Sequence, residues 1–361
     1  MKATTVGVDL AKNVLQVHGA DRSGRRVFNR QLKANKALEF FAQLEPCVIA
    51  MEACASAHCW ARKLIALGHT VKLIAPQYVK AYVKTNKSDR IDAEAICEAA
   101  MRPNMRFVAI KSAQQQAVNA LHALRSGAMK ARNALANRLR GLLLEFGITI
   151  AKGVAHLPRV IEEIEDASNE LPAVLRIALR DEYDQMSQLA QRVSRLDEQI
   201  AQWHRDNPAS QQLARIPGVG LLSATALVAG MGDPSSFANA RQVSAWMGIV
   251  PRQHSTGGKT VLLGISKHGD SYLRTLLIHG ARSVISALKR RLAAGAQRSQ
   301  LTSTQRWLLD LMQRRNANVA AVALANKNAR TAWAMLARGT AYEADHRSSR
   351  PLKRSQALAI A

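Results

Sequence analysis

Acidic side chains are scarce in this 361-residue chain: 26 Asp and Glu stand against 51 Lys and Arg, a formal charge of +25. So large an imbalance is unusual for an enzyme of small molecules. It points to a polyanionic partner, with nucleic acid first. Cysteine is scarce as well. Cys47, Cys54, Cys59 and Cys97 contain no CxxC pair, which excludes a dense disulfide framework in a chain this long. Cys54, His58 and Cys59 lie close in sequence, but no second ligand pair accompanies them, so reduced thiols are expected rather than a metal site. Zinc-finger spacing is missing throughout. No apolar run approaches the ~20 residues of a membrane span. The opening Met-Lys-Ala-Thr-Thr-Val runs straight into a strand pattern, without the apolar core of a secretion signal. A cytoplasmic, reduced protein with no membrane partner is expected.

The charge that is present is unevenly spread. Residues 1–110 carry net +8, 111–160 +7, 161–206 −6, 207–280 +4 and 281–361 +12, so one acidic stretch interrupts a basic protein. The first 110 residues read as α/β. Strands are expected at Val6–Leu10, Val14–Gly19, Val48–Glu52 and Val71–Ile74, with a basic turn at Asp21–Arg26 and a helix over Ala57–Leu67. Residues 111–206 read as a helical connector. Its first helix, 112–146, carries Arg125, Lys130, Arg132, Arg138 and Arg140. Met186, Leu189, Val193, Leu196, Ile200 and Trp203 then alternate at three and four, a heptad seam suited to packing within the chain or to dimerisation. Residues 207–341 form a mainly helical unit opened by the glycine turn Ile216-Pro217-Gly218-Val219-Gly220. That turn resembles a helix-hairpin-helix, although a plain helix connection reads the same way. Residues 342–361 are expected to form a basic, flexible tail.

Two constellations carry chemistry. Asp9 and Glu52 each end a strand pattern, and Asp89 and Asp92 lie three apart at a helix start with Ser88 as a potential cap. Acids in a first helical turn complement the helix dipole without any further role. Asp9 is different, since an acid at the carboxyl end of an α/β strand stands where such sheets place their sites. Four converging carboxylates suit Mg²⁺, which prefers oxygen ligands and keeps room for phosphate oxygens. The second constellation is Gly248-Ile249-Val250-Pro251-Arg252-Gln253-His254-Ser255-Thr256-Gly257-Gly258-Lys259. Its glycines permit close approach to a phosphate, Lys259 can neutralise phosphoryl charge, and Ser255 can attack once activated. An ordinary polar hairpin has the same composition. Lys267 and Arg274 add groups for a nucleic-acid backbone downstream.

Taken together, Gly7-Val8-Asp9, Met51-Glu52-Ala53, Ser88-Asp89-Arg90-Ile91-Asp92-Ala93, the glycine turn at 216–220, the 248–259 segment and Gly264-Ile265-Ser266-Lys267-His268-Gly269-Asp270 resemble, in order, the bridge-RNA-guided DEDD/serine transposases of bacterial insertion sequences. The family is IS110, in its IS1111 branch. The resemblance spans about residues 9–275. It implies a RuvC-like (RNase H-like) α/β nuclease domain over 1–110, a coiled-coil connector over 111–206 and a transposase domain over 207–341. Asp9, Glu52, Asp89 and Asp92 would hold Mg²⁺. The nucleophile falls on Ser255, with Thr256 as the alternative position. Gly218, Gly220, Arg252, Lys259, Lys267, Arg274, Arg132 and Arg138 would contact nucleic acid. The implied partners are donor and target DNA, a guide (bridge-type) non-coding RNA and further copies of the chain as a dimer or tetramer, near the bacterial nucleoid. The competing reading is a RuvC-like structure-selective (Holliday-junction) endonuclease, which leaves the serine segment without a role. A non-enzymatic nucleic-acid binder explains the charge but not the carboxylates, which are a cost beside DNA unless a cation answers them.

Overall fold

The computed structural model describes residues 2–83 and 88–345. Lys87, beside the acidic helix start, and the expected basic tail from residue 346 onward lie outside the described residues. The chain forms two compact units: residues up to Trp203 together with Val228–Ser236, and His204–Leu227 together with Phe237 onward.

The first unit is built on a six-stranded mixed sheet. Its strands are β1 (Thr5–Leu10), β2 (Val14–Ala20), β3 (Arg26–Lys33), β4 (Val48–Glu52), β5 (Thr70–Ile74) and β6 (Phe107–Val108), in the spatial order β3-β2-β1-β4-β5-β6. β1 runs antiparallel to β2 and parallel to β4, and β4 runs parallel to β5. The central strands are apolar on both sides because helices cover both faces. One face carries α1 (Ala34–Ala42) and α2 (Ala57–Ala66), where Val6, Val8, Ile49, Met51 and Phe41 share a core. The other carries the short α3 (Pro76–Val79) and α4 (Asp89–Ala100), where Ala50, Ile74, Ala95, Ile96 and Ala99 share a second core. β3 and β6 are additions to the four strands the sequence pattern shows. β3 lies at the sheet edge with mostly half-exposed residues, so its apolar alternation is weak.

α4 sits unusually close to β1, and Gly7 is the reason. A Cβ at Gly7 would collide with the Ala93 carbonyl and the Cys97 amide. Cys97 Sγ reaches Thr5 O at 3.6 Å. Passing from Thr5 to Gly7 along the strand therefore corresponds to passing from Cys97 to Ala93 down the helix. Ala93, Ala95, Ala99 and Ala100 are small enough to keep the helix seated.

Beyond the sheet, α5 (Ala113–Glu145), α6 (Pro158–Glu165) and α7 (Ala173–Arg205) complete the first unit. Ser112 caps α5 in a reciprocal capping box with Gln115. α5 and α7, 33 residues each, run antiparallel. Arg125 pairs with Asp197, and Arg138 pairs with Glu182 at 3.0 Å. Leu135, Leu139, Leu143, Leu179 and Met186 share a core with Val160 and Ile164 of α6. Within the seam on α7, Met186, Val193, Leu196 and Ile200 are buried inside the single chain. The detached Val228–Ser236 segment is tied to α5 by Asn119 Nδ2 donating to Ala229 O at 2.9 Å.

The second unit holds α8 (Pro208–Leu213), most of α9 (Leu221–Met231), α10 (Ala240–Trp246), a ribbon of β7 (Pro251–Gln253) and β8 (Leu262–Ile265), then α11 (Ser271–Ala293), α12 (Ser303–Arg314) and α13 (Ala317–Arg338). No described helix is long and apolar enough to cross a membrane.

Two outcomes follow from this packing. Gly7→Ala forces α4 off β1, and overpacking of this kind costs about 1–3 kcal/mol. A lowered thermal midpoint relative to wild type is expected, and an unchanged one would show that α4 is free to shift. His122 of α5 is buried, and that burial, with Arg125 beside it, lowers its pKa to about 4. The unfolded chain therefore takes up a proton near pH 6.5 that the folded chain refuses until about pH 4. Stability is full above that window and falls as pH drops through it, by up to about 3 kcal/mol from this group. Urea midpoints at pH 7 and pH 5 should differ less in His122→Gln than in wild type; equal slopes would remove His122 as the source.

Candidate functional site

The four predicted acids lie at one end of the first unit's sheet. Gly7 and Asp9 point to the same face of β1, by the two-residue alternation of a strand. Gly7 pairs with Ala50 of β4, so Ala50 and Glu52 share that face too. It is the face that α4 covers. Ala93 lies against Gly7, so one helical turn back, Asp89 comes level with Asp9 two residues further along the strand. The steps match, at about 6 Å along the helix and about 6.6 Å along the strand. Ile96 shares a buried cluster with Ala50, and one turn back from Ile96 stands Asp92, towards Glu52. By this register Asp89 lies towards the Asp9 end of β1 and Asp92 towards the Glu52 end of β4, at the carboxyl ends of two parallel strands. Ser88 occupies the cap position of α4, but its side chain makes no capping bond. Among the described residues, no three His, Cys, Asp or Glu side chains form a group able to hold a metal ion.

Two partly or fully buried groups of the first unit are structural. Cys97, below the acids on α4, is buried, and burial pushes its thiol up to about 11. His58 Nδ1 accepts from the Lys111 amide at 3.2 Å, and burial lowers its imidazole to about 4. All four cysteines are free thiols.

Ser255 lies in the second unit, on the β7–β8 hairpin. Lys259 N donates to Thr256 O at 3.0 Å around Gly257 and Gly258, whose φ values are 54° and 80°. This is the two-residue turn that requires left-handed residues at both positions, and glycine supplies them. Arg252, Ser255, Thr256 and Lys259 are all exposed. The base of the hairpin is fixed by two interlocking glycines. A Cβ on Gly248 would strike His268 O, and one on Gly269 would strike Trp246 O. Lys267 N donates to Gly248 O at 3.0 Å, Arg274 Nη1 to Met247 O at 3.0 Å and Asn326 Nδ2 to Ile249 O at 2.9 Å. A rigid base therefore presents a solvated tip carrying two hydroxyls and two cations.

The other predicted contacts divide by their partners. Gly218, with φ 87°, lies against Gly280 of α11: a Cβ on either would press on the other's backbone. Gly218 thus has a packing role, whereas Gly220 opens on free space. Arg138 is engaged by Glu182, and Arg132 Nη2 reaches Asn133 Oδ1 at 3.1 Å. Arg252, Lys259 and Lys267 stand exposed on or beside the hairpin. Residues 237–338 hold sixteen Lys and Arg but only two acids, Asp270 and Asp310. Asp270 caps α11 through the Tyr272 and Leu273 amides, and Asp310 pairs with Arg298 at 2.7 Å. The surplus of this stretch is left to a polyanion outside it.

The sequence pattern did not single out Gly280, Gly248 or Gly269 as packing partners, nor Gln253 beside Ser255. The two-residue spacing of Gln253 and Ser255 at the end of a strand was the available signal for the last.

Comparison with known proteins agrees with this architecture. Residues 6–148 match a transposase family model named for the DEDD transposases of IS110. Residues 210–297 match the "Transposase IS116/IS110/IS902 family". A probable family 20 transposase of Pseudomonas aeruginosa is 51% identical over 95% of this chain and 99% of its own length. The transposase for insertion sequence element IS1111A of Coxiella burnetii is 42% identical, covering 93% and 90% respectively. That for IS1328 of Yersinia enterocolitica is 38% identical, covering 94% and 98%. With both halves matched and relatives this similar along nearly their whole length, the chain belongs to the IS110/IS116/IS902 family of insertion-sequence transposases, enzymes that cut and rejoin DNA.

Proposed function

We propose that this transposase cuts, exchanges and religates DNA strands with Ser255 as nucleophile and Asp9, Glu52, Asp89 and Asp92 as an Mg²⁺-holding set, under the guidance of a non-coding RNA. The observation behind the reading is the seating of α4 on β1, which puts the two strand-end acids and the two helix acids at the same end of the sheet, short of a closed metal-holding group. The strand order, with three antiparallel strands continued by two parallel ones, supports a RuvC-like nuclease domain. The antiparallel α5–α7 pair, with its buried seam, supports a coiled-coil connector. The glycine turn at 216–220 fits a helix-hairpin-helix that packs on α11.

The donor set fits the ion. All four groups offer oxygen, the ligand of hard divalent cations. When bound, Mg²⁺ supplies charge stabilisation at the phosphoryl oxygens. The chain's own groups do the rest. In cleavage, Ser255 Oγ gives up its proton and bonds to phosphorus. The bond from phosphorus to one strand end breaks, and that end takes up a proton. Exchange moves strand ends, and religation reverses the chemistry: a DNA hydroxyl attacks phosphorus and Ser255 leaves. Lys259 and Arg252 hold the backbone beside the hydroxyl, with Lys267 and Arg274 behind them. Contacts of this kind are salt-dependent and indifferent to sequence. Selection of sites by a pairing RNA fits a protein that needs no base-reading helix.

The test mixes the protein with element-end DNA, the element's flanking non-coding RNA and Mg²⁺, and looks for a DNA–protein adduct on a denaturing gel. Ser255→Ala should abolish the adduct and Thr256→Ala should keep it; the reverse pattern moves the nucleophile to Thr256. Asp9→Asn and Asp92→Asn, or chelation of the metal, should each lower strand cleavage by about a hundredfold or more. Metal-dependent cleavage with no adduct would instead favour a structure-selective nuclease. A reaction indifferent to omission of the RNA would remove the guide from the account.

A further inference from the structure

The Ser255 oxygen is a double acceptor. Gln253 Nε2 donates to Ser255 Oγ at 2.9 Å, and Val261 N donates to the same atom at 3.4 Å. The second bond departs from the ladder. His254 N donates to Val261 O at 2.9 Å. In an ordinary antiparallel pair the Val261 amide would return that bond to His254 O; here it is directed at the serine. Gln253 and Ser255 lie two apart, so both side chains leave the same face of the ribbon. Thr256 lies on the opposite face and pairs with Lys259 at the turn. A register shift between Pro251 and Gln253 re-aims the strand just before this point.

We propose that Gln253 is a positioning residue that, with the Val261 amide, holds the Ser255 oxygen through both halves of the covalent cycle. This rests on the serine-nucleophile reading above. Donors aimed at an oxygen favour its charged form. During attack they stabilise Oγ as its proton departs and the Oγ–phosphorus bond forms. During resealing a strand-end DNA hydroxyl bonds to phosphorus and gives its proton to water, while the Oγ–phosphorus bond breaks, its electron pair returns to Oγ, and Oγ takes up a proton. There the same two donors make the serine a better leaving group. Among the described residues, no such pair of donors is aimed at Thr256.

The experiment follows adduct formation and adduct resealing separately, across pH, in full-length wild type, Gln253→Leu and Gln253→Lys, with Ser255→Ala as reference. Gln253→Leu keeps the bulk and loses the donor. Adduct formation should slow by about tenfold, its rising pH limb should move to higher pH, and the preformed adduct should reseal more slowly. Gln253→Lys restores a donor, and should recover most of the rate with the limb moved back. If the Leu and Lys variants are equally slow with an unshifted limb, Gln253 only supports the hairpin and the proposal falls. A Leu variant that matches wild type also overturns it. If the adduct survives in Ser255→Ala, the serine reading itself fails, and the role of Gln253 with it.

Discussion

The chemistry proposed for the first unit depends on one close approach, that of the α4 backbone to β1 at Gly7. A helix held away from a sheet by side chains can slide or rotate by fractions of a turn at small cost. A helix seated on a glycine, with its own alanines facing the strand, has no such freedom, because close-packed interiors resist small displacements. Two carboxylates on the strands and two on the helix are thereby brought into a fixed relation by residues with almost no side chain.

The second unit uses the same device for a different purpose. Gly218 against Gly280, and Gly248 and Gly269 against neighbouring carbonyls, lock backbone to backbone. The hairpin that carries Ser255 would be marginal in isolation, since a two-stranded ribbon has little to bury. Its base is stable because α10 bonds to it through the Gly248 and Ile249 amides, while Arg274 of α11 and Asn326 of α13 donate side-chain bonds to its carbonyls. Its tip is left to solvent, with its hydroxyl and cations accessible to a large ligand.

Much of this was legible in the residues. The apolar runs of β1, β2, β4 and β5 announced themselves, as did α2, α5 and the α7 seam, because their periodicity is strong. The acids were visible as strand ends and a helix start. What the sequence could not say is which helix residue stands opposite which strand residue. That register comes from Gly7 meeting Ala93, a contact between positions 86 apart in the chain. β3 and β6 were hidden for another reason: an edge strand is half solvated, and a two-residue strand has no period to detect. The fate of individual cations was equally hidden. Arg138 and Arg252 look alike in sequence, yet one is held by a carboxylate on a partner helix and the other stands in solvent.

The two cross-links between α5 and α7 have a mechanical consequence. Arg125–Asp197 and Arg138–Glu182 sit 13 and 15 residues apart along their respective helices, so they fix the same antiparallel register twice. A slip of one turn would break both pairs and drag Leu139, Leu143 and Leu179 out of their shared core. The pair therefore behaves as a strut of set length. Its 33-residue helices measure about 50 Å, which is the rise of about fifteen base pairs of duplex DNA. The first unit therefore carries a fixed length of its own, close to one and a half turns of the double helix.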